Sequence, residues 1–191
     1  LQNPTGGENR YGIPYAELLD LNHNGKTEIL VGDYDGDLIL FEDLTGTGFV
    51  PITSRRLSGK DATHRFVSGD FNGDDEFEIV VATQKLAESQ GEFSSLGQYW
   101  ILEILQLNSN GELITLWQKN FHLVSQERDA YAGLSAYDMN GDNCDDIFFT
   151  PFPRAYFIQY LNGEYQLRWY REGINSNTVP LVQPEKVILS A

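Results

Sequence analysis

The chain has little of what several functional classes require. It holds one cysteine, Cys144, so no intramolecular disulfide can form. No apolar run reaches the ~18 residues of a membrane-spanning helix, and no long segment repeats its apolar residues at helical spacing. Basic residues are scarce, with 13 Lys and Arg against 28 Asp and Glu, a net charge of −15. Such a chain has no simple attraction for nucleic acid or an anionic membrane. Its three histidines, His23, His64 and His122, are scattered along the sequence and read as surface or strand-end residues, not a metal or catalytic cluster. Gly133-Leu134-Ser135-Ala136-Tyr137 lacks the second glycine of a nucleophile elbow and reads as strand. Thr45-Gly46-Thr47-Gly48 reads as a turn and not a phosphate cradle. The first residue is Leu1 rather than Met, the start expected of a processed or truncated product whose signal peptide is out of view.

What the chain does have is acid in a repeated pattern. Its 191 residues are 41% hydrophobic and 13% aromatic, enough for one domain with a real core. Eleven of the 28 acidic residues fall inside three nine-residue stretches. In the last, Asp138, Asn140, Asp142 and Asp146 place side-chain oxygens at positions one, three, five and nine, and Cys144 offers its backbone carbonyl at seven. The middle stretch repeats this with Asp70, Asn72, Asp74, the Glu76 carbonyl and Glu78. The first has Asp20, Asn22, Asn24, the Lys26 carbonyl and Glu28. Hard cations such as calcium take six to eight oxygens at about 2.3–2.6 Å, and a tight turn with oxygens on alternate residues can deliver them to one point. Asp, Asn and Gly are also ordinary turn residues, but turn chemistry does not require acid at position nine three times. An EF-hand would need glutamate at position twelve; the residues there are Val31, Val81 and Phe149. A hard cation does not select thiolate, so Cys144 contributes its carbonyl. Up to three calcium ions are therefore expected. The charge count within the loops ranks the first weakest, because Asn22 and Asn24 are neutral and Lys26 is positive.

Around each loop the sequence predicts four short strands in an antiparallel meander. The first unit has strands at 13–19, 28–32, 37–41 and 49–53, with Asp33-Tyr34-Asp35-Gly36 as a turn. The second has 64–69, 78–83, 99–107 and 112–119; the third has 131–137, 146–150, 155–161 and 164–170. In the last of these, Tyr165, Leu167 and Trp169 alternate with Gln166, Arg168 and Tyr170, which predicts two unlike faces. The loops begin at Asp20, Asp70 and Asp138, spacings of 50 and 68 residues, and the polar insert 84–98 accounts for most of the difference. A four-stranded unit repeated at this length predicts an all-β fold of propeller blades. The blades span about 12–54, 64–120 and 131–170, with tails at 1–11 and 171–191.

At this point the residues resemble a family. The stretches VSGDFNGDDEFEIVVAT, LSAYDMNGDNCDDIFFT and LLDLNHNGKTEILVGDYDGDLILFE are similar to the FG-GAP or VCBS repeat of integrin alpha-subunit propellers and many bacterial surface proteins. The resemblance covers residues 12–170 and implies that each loop joins the first two strands of its blade and holds calcium through the residues named above. The glycine usual at loop position six survives as Gly25, while Asp75 and Asn143 replace it elsewhere. Both types tolerate a left-handed backbone better than other non-glycine residues. Three blades fall short of the four to eight of a closed propeller, so a larger propeller or another protein chain is expected to complete the arc.

The function expected is a non-catalytic, calcium-binding module for protein–protein interaction, assembly or adhesion. Its expected place is outside the cytoplasm, where loops that need ~10⁻⁴–10⁻³ M calcium can fill. The insert and the links 54–63 and 121–130 should share the face opposite the calcium loops. Arg55, Arg56, Lys60, Lys85 and Arg128 lie there and form a candidate partner-binding surface. The alternative is a piece of a propeller lectin or carbohydrate-active enzyme with its glycan site on that opposite face, where Glu88, Glu92, Glu127 and Asp129 are the available acids. The third unit is rich in aromatics, including Phe148, Phe149, Phe157 and Trp169. These would fill the space between blades or present a face to a neighbouring chain or a sugar.

Overall fold

A computed structural model of the protein describes residues 15–32, 36–58, 63–85, 99–122, 132–151 and 154–172. Every regular element among them is a strand. Blade 1 comprises β1 (Tyr15–Leu19), β2 (Glu28–Gly32), β3 (Asp37–Glu42) and β4 (Val50–Arg56). Blade 2 comprises β5 (Thr63–Gly69), β6 (Glu78–Lys85), β7 (Tyr99–Leu107) and β8 (Leu113–His122). Blade 3 comprises β9 (Ala132–Tyr137), β10 (Asp146–Pro151), β11 (Arg154–Leu161) and β12 (Glu164–Glu172). Each blade is a four-stranded antiparallel sheet in sequence order. The tails outside 15–172, the insert residues 86–98, Asp33 to Asp35, Lys60 and Arg128 lie outside the described residues.

The first strands lie side by side, with β5 against both β1 and β9, the arrangement of a propeller's inner ring. Alternation along each strand then gives every blade two apolar faces, and packing follows from it. Leu30, Leu38 and Leu40 of blade 1 meet Phe66, Ile79, Val81 and Leu105 of blade 2 in one buried cluster. The other face of blade 2, with Val80, Ala82, Trp100, Leu102 and Ile104, meets Ile147, Phe149, Tyr156 and Ile158 of blade 3. Burying each such side chain contributes about 1.5–3 kcal/mol, so the two seams hold the three sheets together.

Each blade carries a bulge at the same place between its third and fourth strands. The register shifts at Leu40/Phe41, at Ile104/Leu105 and at Phe157/Ile158. The extra residue is Ile52, Leu116 or Arg168. In blade 3 this reverses the faces expected from simple alternation. Tyr165 and Leu167 oppose Tyr160 and Ile158, but Trp169 opposes Phe157 on the other face. Trp169 therefore stacks on Phe148, with ring centroids 6.4 Å apart, while Tyr170 stacks on Tyr156 in the seam with blade 2.

The repeat also shows what blade 3 lacks. Leu30 and Val80 hold equivalent positions on the faces that blades 1 and 2 turn toward their successors, and both are fully buried. The third equivalent, Phe148, is 37% exposed, because no described sheet packs on it.

Candidate functional site: the three loops

The three loops share one edge of the blades and touch one another. His23 of the first packs at a tilt against Phe77 of the second, with centroids 5.2 Å apart. The backbone N–H of Asp145 in the third donates to the Asp70 carbonyl at 2.6 Å. A Cβ on Gly73 would come within 2.7 Å of Cys144 Sγ, so glycine is what allows this close approach.

Each loop is built as a staircase of side-chain acceptors for backbone donors. The first aspartate caps the turn. Asp70 Oδ1 accepts from the N–H groups of Asn72, Gly73 and Asp74 (3.3, 2.7 and 3.3 Å), and its Oδ2 accepts from Asp75 at 3.0 Å. Asp20 accepts likewise from Asn24 and Gly25, and Asp138 from Gly141, Asp142 and Asn143. The position-three asparagine then accepts the N–H of position five, and position five accepts the N–H of position seven, in all three loops. The turn needs a left-handed backbone at two places. Position six has φ of 81° at Gly25, 65° at Asp75 and 66° at Asn143. Position four is left-handed too, at Gly73 and Gly141, but the first loop places His23 there at φ 53°. The strain relieved by Gly25 thus returns two residues earlier.

The position-nine acid closes the loop from the first residue of the second strand. One oxygen accepts the N–H of position two, at 2.6 Å for Glu28 to Leu21, 2.9 Å for Glu78 to Phe71 and 3.1 Å for Asp146 to Met139. The other oxygen faces a third-strand residue that lies opposite in the sheet. In blades 2 and 3 this is a glutamine, with Gln106 Nε2 donating to Glu78 Oε1 at 3.2 Å and Gln159 Nε2 to Asp146 Oδ1 at 2.9 Å. In blade 1 it is Glu42, paired with Glu28 in the β2–β3 register. Counting charge within the loop alone misses this acid. The first loop has a third carboxylate after all, with Lys26 Nζ 3.2 Å from its Oε1.

The electrostatics of the loops reflect acids held near one another and away from water. Burial, with Asp74 and Asp70 nearby, raises Glu78 to about 7 against the lowering effect of the Phe71 N–H. Burial likewise raises Glu28, where Asp20 and Glu42 add to it, and raises Asp146 and Asp145. Asp138 is lowered: desolvation is the largest single influence and raises it, but the N–H donors of Gly141, Asn143, Asp142 and Asn140 together outweigh it. Burial and the surrounding acids push the Cys144 thiol up to about 11, which leaves it a poor source of thiolate.

The arrangement fits a hard cation by its donor set, which is oxygen in every loop, and by one orphaned atom. Glu28 Oε1 is buried and has no hydrogen-bond partner. As the loops stand, no three His, Cys, Asp or Glu side chains among the described residues already converge at metal-ligand spacing. In the second loop Asn72 Nδ2 lies between Asp74 Oδ2 and Glu78 Oε1, at 3.1 and 3.0 Å, and bridges the two acids.

Residues 20–81, which hold the first two loops and β2 to β5, match a family model described as an FG-GAP-like repeat. Over these residues the chain is similar to an FG-GAP-like repeat. A comparison with curated proteins finds no match. Among solved structures the repeat architecture is similar to a rhamnogalacturonan lyase, YesW (TM-score 0.56, 17% identity, covering 93% of this chain and 38% of that one). It is also similar to the Bacillus licheniformis rhamnogalacturonan lyase PL11 (TM-score 0.53, 15% identity, 86% and 35%). The exotype rhamnogalacturonan lyase YesX is a third (TM-score 0.53, 14% identity, 86% and 34%). The chain thus spans little more than a third of the length of these proteins. At these identities the likeness is one of fold, and the fold is a set of propeller blades.

The basic residues are placed differently from the loops. Arg55 is part of β4 and ties blade 1 to blade 2, donating to the Leu113 carbonyl and to Thr115 Oγ1 on β8. Arg56 pairs with the buried Asp37 at 3.1 Å. Lys85 ends β6 opposite Tyr99, at the end of blade 2 remote from its loop. The β6–β7 pairing runs to Lys85 and Tyr99 at that end, and residues 86–98 lie outside the described ones. One concave feature was not legible from sequence. A cleft of about 440 Å³ between blades 2 and 3 is lined by Trp117, Tyr160, Tyr165, Glu164, Gln106 and Asn72, on the loop side. The Tyr165 hydroxyl is buried without a hydrogen-bond partner.

Proposed function

We propose that the chain is a calcium-stabilised group of propeller blades that serves as a non-catalytic binding or assembly module outside the cytoplasm. The observation that carries this is the threefold repetition of one loop geometry: a capped aspartate, two rungs of side-chain acceptors and a buried position-nine acid. Four like-placed oxygens and a carbonyl in each loop supply a site for one calcium ion, three in all. The partner is the remainder of a larger propeller or another protein chain, received on the face of Phe148, Phe157 and Trp169. Supporting this is the exposure of Phe148 where its equivalents are buried.

The test is thermal melting with a chelator, with calcium and with magnesium. A cation that binds only the folded loops raises stability by mass action. Chelation should lower the melting temperature, calcium should restore it, and magnesium, which demands near-octahedral geometry, should do so poorly. A melting curve unchanged by chelation refutes the reading.

A second reading, glycan binding, is favoured by the cleft between blades 2 and 3. Three aromatic rings, a buried hydroxyl without a partner and amide groups suit a ligand with apolar ring faces and many hydroxyls. The rhamnogalacturonan lyases share the fold, which adds weight to a saccharide. The cleft lies on the loop side, not on the opposite face where the sequence suggested a ligand site. A glycan array probed with the chain and with Trp117→Ala tests it; equal signals from both refute it.

A further inference from the structure

We infer that Glu42 is a further cation ligand supplied from β3, outside the loop, and that Lys26 is the internal cation which occupies its carboxylate until a divalent ion arrives. The inference deepens the calcium reading and rests on it.

The observations come from comparing the three blades at one register position. Each position-nine acid has a third-strand neighbour directly across the sheet. Where that neighbour is Gln106 or Gln159, its amide N–H satisfies the second oxygen of the acid. Glu42 has no such donor to offer. Glu28 Oε1 is accordingly left buried without a partner, beside a second buried carboxylate. Directly opposed residues in an antiparallel pair have Cβ atoms about 4.5–5.5 Å apart, and like charges there are destabilising. Glu28 is 0% and Glu42 3% exposed, so water screens neither. A pair of this kind calls for positive charge between or beside its members.

Everything else around Glu42 points the same way. The two loop asparagines reach it, Asn24 Nδ2 donating to Oε1 at 3.1 Å and Asn22 Nδ2 to Oε2 at 3.5 Å. These are the loop's third and fifth positions, so Glu42 lies against the same loop residues that are read as cation ligands. Lys26 Nζ lies 3.2 Å from Glu42 Oε1, and its side chain is 49% exposed, so it can swing into solvent. Lysine is a single charge on a flexible stem; a divalent ion supplies twice the charge and can meet both glutamates. Site 1 then has three carboxylates, Asp20, Glu28 and Glu42, equal in number to the other two loops. Two of its three are buried, which strengthens their attraction for a cation. Glu42 removes the charge deficit that would make this loop the weakest.

The test uses the whole chain, calcium alone as the probe, and two variants, Glu42→Gln and Lys26→Met. Glu42→Gln installs the residue type of blades 2 and 3, giving Glu28 Oε1 a donor while deleting a ligand. The melting temperature in chelator should rise, while one of three calcium-binding steps weakens by roughly tenfold, as ligand charge count controls calcium affinity. Lys26→Met should do the reverse, lowering stability in chelator and tightening the same step. A purely structural role for Glu42 cannot move stability and affinity in opposite directions. Unchanged calcium steps in Glu42→Gln, with three steps intact in the wild type, overturn the role of Glu42 alone. A wild type that binds no calcium overturns the loop reading and this inference together.

Discussion

Phe149 and Phe148 are neighbours on β10 that face opposite ways, and truncating each in turn tests the blade arrangement. Phe149 is fully buried in the seam with blade 2. Its ring meets Trp100 at 6.1 Å, Phe121 at 5.4 Å and Tyr156 at 6.3 Å between centroids. Removing a buried phenylalanine to alanine costs about 3–5 kcal/mol, through lost transfer energy and the cavity left behind. Three ring pairs, each contributing about 0.5–1.5 kcal/mol beyond burial, place Phe149→Ala toward the upper end. For a chain of this size about 2–4 °C accompanies each kcal/mol, so its melting temperature should fall by roughly 10–15 °C. Phe148 is 37% exposed and its ring stacks on Trp169. Phe148→Ala should cost about 1–1.5 kcal/mol in the isolated chain. Thermal or urea unfolding of both variants, with calcium present, measures the difference. Equal losses, or a larger loss at Phe148, would refute the assignment of one face to the seam and the other to an absent neighbour.

Two further outcomes follow from the loops and the seams. Glu78 has an ordinary value of 4.5 and is raised to about 7 in the metal-free fold. A raised carboxyl binds its proton more tightly when folded, so its contribution is intact below about pH 4.5 and is lost as pH climbs to about 7. Urea midpoints in chelator should therefore fall between pH 5 and pH 8, and Glu78→Gln should flatten that slope; a midpoint that rises over this window would contradict it. Arg55→Ala deletes two hydrogen bonds across the blade 1–blade 2 seam and should cost about 1–3 kcal/mol, seen as a lower melting temperature and faster amide exchange in β8.

The strands and loops were legible because their signals are local. Loop oxygens recur at offsets of two residues and end on an acid that starts an apolar run, so β2, β6 and β10 begin at the expected Glu28, Glu78 and Asp146. The third-strand partners were not legible for the converse reason. Glu42 follows Glu28 by 14 residues, Gln106 follows Glu78 by 28, and Gln159 follows Asp146 by 13. No fixed spacing links them; only strand pairing does. Trp169 was placed on the wrong face because alternation assumes an unbroken register, and the bulge at Arg168 breaks it. Arg55 looked like a free link residue because β4 was expected to end at Thr53, whereas it runs to Arg56 and carries the guanidinium against β8.

The register also couples cation binding to blade packing. Position nine and the residue two further on share a face: Glu28 with Leu30, Glu78 with Val80, and Asp146 with Phe148. In blades 1 and 2 the next blade covers that second residue completely, and the acid beside it is fully buried. In blade 3 Phe148, two residues along β10 from Asp146 and stacked on Trp169, stands at the uncovered end of the arc. Ion pairing weakens as water enters, because the attraction scales inversely with the local dielectric. Phe148→Ala should therefore weaken the third calcium site by roughly threefold to tenfold while leaving the other two alone. Asp138→Ala, which removes a ligand of that site, identifies the step in the titration. An unchanged third step in Phe148→Ala would mean that the loop alone keeps Asp146 dry. If the third step weakens as expected, reciprocity requires that calcium favour whatever docks over Phe148, because a partner that dries Asp146 and a cation that pairs with it each raise the affinity of the other by the same factor.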